Sequence, residues 1–260
     1  MKNYVVPVLF AFAISSASAQ NNTVAGKVDI PQQEYLKIEE VPNSIYVLPA
    51  PPEFNSVQFL NDQFQYYWGK NLRETKRGQK AIMDATLDGL DGMNNAFGEV
   101  FGTSITLQNA PEIFTLLRSI GRDAGGFAPK KAKKHYMRIR PFVFFNDSTS
   151  TPEYDAHLRS SGSYPSGHSS YGWAAALILA EINPEHQNEI LKRGLEIGES
   201  RKIVGAHYES DIQAGRIMGA ATVAALHANP AFQKQLEKAK KEFASLKKAG
   251  KIKPSTAVLE

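Results

Sequence analysis

Apolar residues along this chain recur at three- and four-residue intervals and almost never alternate, so the pattern is that of helices. From Asn61 to Thr86, aromatic and apolar side chains return at helical spacing with charges between them. Pro111 to Arg122 puts Ile113, Leu116, Leu117 and Ile120 on one face. Pro129 to Arg140 is basic and helical in composition, and Pro141 should end it because the residue before a proline is pushed out of the α region. Ser166 to Ile182 is an Ala-rich run, apolar enough to be buried, and Asn183-Pro184 supplies the cap and first-turn pair of a second helix reaching about Lys202. Gly205 interrupts the pattern. His207 to His227 resumes it with small residues at Ala214, Gly215, Gly219, Ala220 and Ala221, and Asn229-Pro230 opens a last helix to about Lys247. Phe142 to Phe145 is the one candidate for a short strand, and Asn146 to Gly162 is loop-like, rich in Ser, Thr, Asp and Gly. With no internal repeat and no linker, residues 56–260 are expected to form a single all-α domain.

The first 55 residues follow a different rule. Lys2, the apolar run Tyr4 to Ile14, and Ala17-Ser18-Ala19 before Gln20 make residues 1–19 a candidate export leader. The run is too short to span a bilayer, which needs ~20 residues. Residues 20–55 carry Pro31, Pro42, Pro49, Pro51 and Pro52 without periodicity and are expected to be an extended arm over the domain surface. The chain has no cysteine, which excludes a lipid-anchored leader and any disulfide; export without disulfides fits a bacterial periplasm or medium. The most apolar later stretch, Trp173 to Ala180, is cut short by Glu181, so no membrane partner is expected. Without Lys2 there are 29 basic against 26 acidic residues, a formal charge of +3. That is too mild to argue for nucleic acid, though it suits an anionic substrate.

Three clusters carry chemistry. Lys133 and Arg140 are seven apart, about two helical turns, and so would share a face. Read alone, that is a solvated basic helix, flanked by Lys130, Lys131, Lys134 and Arg138. In Gly162 to His168, the Ser166-Gly167-His168 tripeptide opens an apolar helix and gathers backbone N–H groups and the positive dipole end at one point, a natural anion site. Read alone, it is a serine cap with a surface histidine. In Ser200-Arg201-x5-His207-x3-Asp211, the last two residues would lie one turn apart on a helix, where the carboxylate can hold one imidazole nitrogen and leave the other as a nucleophile. Together the clusters supply three cations (Lys133, Arg140, Arg201), two neutral donors (Ser166, Gly167) and two titrating groups (His168, His207). Phosphoryl transfer needs that inventory, because non-bridging oxygens must be neutralised while a nucleophile and an acid stand on either side. No carboxylate–histidine cluster suggests a divalent metal, so no cofactor is expected.

The clusters resemble the signature of the phosphatidic-acid phosphatase type 2 and vanadium haloperoxidase superfamily: Lys-x6-Arg-Pro, Pro-Ser-Gly-His and Ser-Arg-x5-His-x3-Asp, matched without a gap. The flanking text Leu48 to Pro52, Tyr136 to Phe142, Gly162 to His168 and Leu179 to Pro184 is similar to that of the bacterial class A non-specific acid phosphatases in particular. The resemblance implies a helical fold and a metal-free site. His207 becomes the nucleophile that forms a phosphohistidine, Asp211 its orienting partner, and His168 the acid for the leaving alkoxide and later the base for water. Lys133, Arg140, Ser166, Gly167, His168 and Arg201 bind phosphate. The resemblance further implies periplasmic hydrolysis of a broad range of phosphate monoesters (nucleotides, sugar phosphates, aryl phosphates), phosphotransfer as a side activity, and a homo-oligomer. Many relatives carry a cysteine pair that is missing here from Ser148 to Pro152 and Ile203 to Ala206, which puts the anchoring of those loops in question. Acid chemistry would require the two imidazoles to have pKa values on opposite sides of the working pH. The competing readings are a vanadium-dependent haloperoxidase and a non-catalytic periplasmic phosphate-binding protein. His135, His157, His186 and His227 fall outside the clusters and are read as surface or packing residues.

Overall fold

The computed structural model describes residues 34–254 apart from Asp88 and Leu90; the candidate leader and residues 20–33 lie outside the described residues. Every regular element among the described residues is helical. The α-helices are α1 (Ser44–Val47), α2 (Val57–Asn71), α3 (Lys76–Met83), α4 (Gly92–Phe101), α5 (Pro111–Ile120), α6 (Lys130–Tyr136), α7 (Pro141–Phe144), α8 (Asp155–Arg159), α9 (Gly167–Ile182), α10 (Gln187–Ile203), α11 (Glu209–His227) and α12 (Pro230–Lys248). None is long and apolar enough to cross a membrane.

At the centre stands α9, whose Ala174, Ala175, Ala176, Ile178 and Leu179 are wholly buried between α10 and α11. The small residues noted in the sequence are what let these helices meet. A Cβ on Gly215 would lie 2.5 Å from the Ser166 carbonyl oxygen, and one on Gly219 would lie 2.5 Å from that of Ser170. With only hydrogen there, α11 rests directly on the backbone of the first turns of α9, and the Ser166 N–H reaches the Asp211 carbonyl at 2.9 Å. Close packing of this kind transmits position with little give.

Several sequence readings need correction. The stretch Asn61 to Thr86 is two helices, broken after Leu72 where the Thr75 side chain accepts from Gly78 N and caps α3. The basic segment does not run to Arg140: α6 stops at Tyr136, Met137 takes a left-handed φ of 40°, and the chain extends before Pro141. Phe142 to Phe145 is not a strand. Pro141 occupies the first position of α7, where a missing N–H costs nothing, and Phe142 is buried. The loop-like stretch 146–162 contains a 3₁₀ turn, Pro152–Tyr154, followed by α8.

The described part of the arm is tied down. Tyr35 and Leu36 donate their N–H groups to the Asp123 carboxylate, Ser44 Oγ accepts from Ala132 N at 2.9 Å, and Leu36, Val41 and Leu48 are buried. The two loops without cysteines are joined by other means. Ser150 N donates to the Val204 carbonyl, and Arg73 bridges the loops by donating to Ile203 O on one side and to Asp147 and Ser148 O on the other.

Candidate active site

Six of the eight residues singled out in the sequence, Lys133, Arg140, Gly167, His168, Arg201 and His207, line one cavity of about 830 Å³. They arrive from separate elements by routes the sequence only partly foretold. Gly205, at φ 88°, turns the chain out of α10, and the N–H groups of Ala206 and His207 then both fold back onto the Arg201 carbonyl, at 3.0 and 3.2 Å. His207 therefore precedes α11 instead of sitting on it. Asp211 is the third residue of that helix, and its Oδ2 accepts from Tyr208 N at 2.9 Å in the manner of a capping box. The same oxygen lies 3.3 Å from His207 Nδ1. A proton on Nδ1 satisfies this contact and leaves Nε2 as an acceptor, which faces Arg140 Nη1 at 3.1 Å.

Arg140 is held from all sides. Its Nε donates to the carbonyls of Leu158 and Ser161, Nη1 to that of Ala206, and Nη2 to Ser161 Oγ and Gly162 O. Lys133 Nζ donates to Gly162 O at 2.8 Å. Lys133 and Arg140 thus converge through the left-handed turn at Met137 and not along a shared helix face. His168, in the first turn of α9, has Nε2 3.2 Å from the Ala85 carbonyl, which fixes that nitrogen as the donor. Gly167 abuts the Gly125 carbonyl so closely that a Cβ would lie 2.6 Å from it. Ser166 and Asp211 stand behind the cavity wall. Ser166 is fully buried; its Oγ caps α9 by accepting from Ser169 N, and its N–H is spent on Asp211.

Crowding of positive charge decides the electrostatics. Burial pushes the His207 imidazole well below its ordinary value, and Arg140, Lys133 and Arg201 push it the same way. His168 is lowered to about 3, first by burial and then by Arg201. Burial also lowers the Lys133 ammonium well below the usual lysine range, with Arg140 adding to it, and lowers Arg140 to about 10. Burial and the surrounding cations push both imidazoles toward their neutral forms. Such a site calls for an anion.

A model of the PAP2 superfamily matches residues 114–234, a span that contains all eight candidate residues. The chain is 50% identical over 236 residues to a non-specific acid phosphatase of Providencia stuartii, covering 91% of this chain and 94% of that one. It is 41% identical to a non-specific acid phosphatase of Salmonella typhimurium, covering 81% of this chain and 84% of the relative, and 35% identical to an acid phosphatase of Zymomonas mobilis, over 76% and 74%. The chain belongs to the class A non-specific acid phosphatases of the PAP2 superfamily. It is accordingly a phosphatase.

The candidate site extends further back than its signature. Arg138 Nη1 donates to Asp211 Oδ1 at 2.6 Å and Nη2 to Asp62 Oδ2 at 2.7 Å, with all three side chains almost wholly buried. Ser210 joins the same carboxylate through its N–H and hydroxyl, and the Arg138 guanidinium stacks over the Tyr208 ring at 4.2 Å. Burial alone would lower the Arg138 pKa, but Asp211 and Asp62 outweigh it and raise the value. The sequence reading treated Arg138 as one of several solvated cations. The signal that could have found it is Pro141: residues before a proline extend, and in an extended stretch 138 and 140 point to the same side. His157, read as a surface or packing residue, also lines the cavity.

Arg138→Met removes one cation from between two buried carboxylates. Losing one partner of a buried pair costs about 3–5 kcal/mol. Urea denaturation is expected to show a loss of that size, and a variant as stable as wild type would mean that Arg138 does not anchor Asp211.

Proposed function

We propose that the enzyme hydrolyses phosphate monoesters by moving the phosphoryl group onto His207 Nε2. The observation that carries this reading is the His207 imidazole itself, braced by Asp211 at Nδ1 with its other nitrogen facing the guanidinium of Arg140. Nε2 forms a P–N bond as the ester P–O bond breaks, and the departing alkoxide takes a proton from His168. Asp211 offsets the positive charge that grows on the His207 ring. In the second step, His168 takes a proton from water, whose oxygen attacks phosphorus. The P–N bond then breaks and free phosphate leaves. Lys133, Arg140 and Arg201 neutralise the equatorial oxygens, with Gly167 and the first turn of α9 adding N–H donors and the positive helix end. Ser166 takes part through the capping of that turn.

Side-chain cations here take the place a divalent metal has in many phosphoryl-transfer sites. Among the described residues, no group of three His, Cys, Asp or Glu side chains could hold such an ion. Lys2, the apolar run and Ala17-Ser18-Ala19 support export to the periplasm. The homo-oligomer is supported by the outer face of α2, where Val57, Leu60, Phe64, Tyr67 and Trp68 are exposed at helical spacing.

A neutral His168 must acquire its proton before it can act as an acid, and the substrate supplies it. A phosphate monoester has a second pKa of about 6 and is a proton-bearing monoanion below it. Bound among three cations, the phosphate is driven toward the dianion. The same negative charge raises His168, so the proton passes from phosphate oxygen to imidazole. Turnover therefore falls as the pH rises through the ester's own second pKa.

Two measurements check this reading. With EDTA present, p-nitrophenyl phosphate is hydrolysed and His207→Ala abolishes turnover. His168→Ala loses about 10²–10⁴-fold on alkyl phosphates, the usual worth of a general acid, but much less on p-nitrophenyl phosphate, whose leaving group needs no proton. Equal losses on both would remove His168 from the acid role. Separately, replacing ethyl phosphate by trifluoroethyl phosphate, whose second pKa is lower, moves the alkaline limb of kcat/KM down with it. A limb that stays in place would assign it to a group on the enzyme.

A further inference from the structure

The cavity in front of His207 has room for far more than one phosphate group, and part of its wall is unused by the steps above. Besides Lys133, Arg140 and Arg201, it is lined by two further guanidinium groups, Arg118 and Arg122, and, among the described residues, by no carboxylate. Arg118 lies in the last turn of α5. Arg122 follows one turn later, where the chain widens into a π-helical stretch, Gly121–Phe127. Such widened turns commonly mark functional positions because they re-aim side chains. This one is fixed against the reaction centre: its Gly125 carbonyl abuts Gly167, and a Cβ on Gly121 would lie 3.0 Å from the Tyr171 ring of α9. The backbone that carries Arg122 is therefore anchored to the same helix start that presents His168.

Arg122 is available to an incoming anion. Its carboxylate partner among the described residues is Glu34 at 3.5 Å, in a pair about half open to water, and its guanidinium lies 5.1 Å from the centre of the Phe127 ring. A long, solvated ion pair of this kind contributes little and exchanges readily. A phosphate group, with more charge and two oxygens that match the guanidinium fork, competes well for it. The plain alternative is a solvated arginine held by Glu34 and Phe127.

We propose that Arg122, backed by Arg118, holds a second phosphate group, so that the favoured substrates are monoesters carrying another phosphate at the far end. The proposal rests on the reading of His207 as the reaction centre. Bisphosphorylated small molecules are the class that fits: one phosphate sits among Lys133, Arg140 and Arg201 while the other meets the outer arginines.

The test compares 1,4-butanediol and 1,6-hexanediol bisphosphates with butyl and hexyl phosphates at low salt, in wild type and in Arg122→Gln and Arg122→Lys. A charge-assisted contact of this kind corresponds to about ten-fold in kcat/KM. At least one bisphosphate should exceed its matched monophosphate by that factor, mostly through KM, after allowing for its two equivalent ends. Arg122→Gln should reduce the advantage to about two-fold, Arg122→Lys should restore part of it, and added salt should erode it, while hexyl phosphate is handled alike by all three proteins. A wild-type advantage no greater than the two equivalent ends provide, or one that survives Arg122→Gln, overturns the second site and leaves the His207 reading intact. Failure of wild type to hydrolyse any of the four esters would instead overturn both.

Discussion

Everything in this molecule turns on holding positive charge where water cannot screen it. Lys133, Arg140 and Arg201 converge on a buried imidazole, and its carboxylate partner, Asp211, stands behind that ring and not among the cations. Unbalanced buried charge is costly, and the lowered pKa values of Lys133, Arg140, His168 and His207 record the cost. A phosphate dianion relieves it. On the proposed reading, binding and catalysis share one cause: charge fixed in advance at the positions where the transferring group needs it.

Two features keep the cations in place. Around the cavity, Arg140 spends its donors on backbone carbonyls of the loop before α9 and of the turn before α11, so neither can move without disturbing the guanidinium. Beneath it, the bare glycines of α11 let that helix lie on the first turns of α9, which joins Asp211 to Ser166 through a backbone hydrogen bond. Behind both, Arg138 ties Asp211 to Asp62 on α2. The signature residues that line the cavity are thus one side of a buried polar network, and partly satisfied networks of this kind lose their geometry most readily.

How much of this could be read beforehand depended on whether the decisive interaction was local. The helix starting at Ser166 and the one starting at Pro230 were legible because cap, periodicity and burial agree within a few residues. The strand expected at Phe142 to Phe145 failed because a short aromatic run has no periodicity to consult, and Pro141 at the first helical position decided the matter. Residue types and spacing picked out six residues that the fold brings to one cavity, but the stated geometry was wrong twice. Lys133 and Arg140 meet across a left-handed Met137, and His207 reaches Asp211 from outside the helix. Spacing of seven and of four fits a helix, yet it also fits a turn that returns to the same place. Arg138 was missed because its partners, Asp62 and Asp211, come from distant parts of the chain, and the nearby Pro141 signals only which way its side chain points, not what it meets.

The central claim is that phosphate passes through His207. Enzyme mixed with excess substrate, quenched within milliseconds into alkaline denaturant to preserve the acid-labile P–N bond, can be digested and read by mass spectrometry. The account predicts one phosphate on the peptide containing His207, localised to that imidazole and chased away within a turnover. Phosphate on His168 instead, or hydrolysis with a burst of alcohol but no phosphopeptide at all, would contradict it.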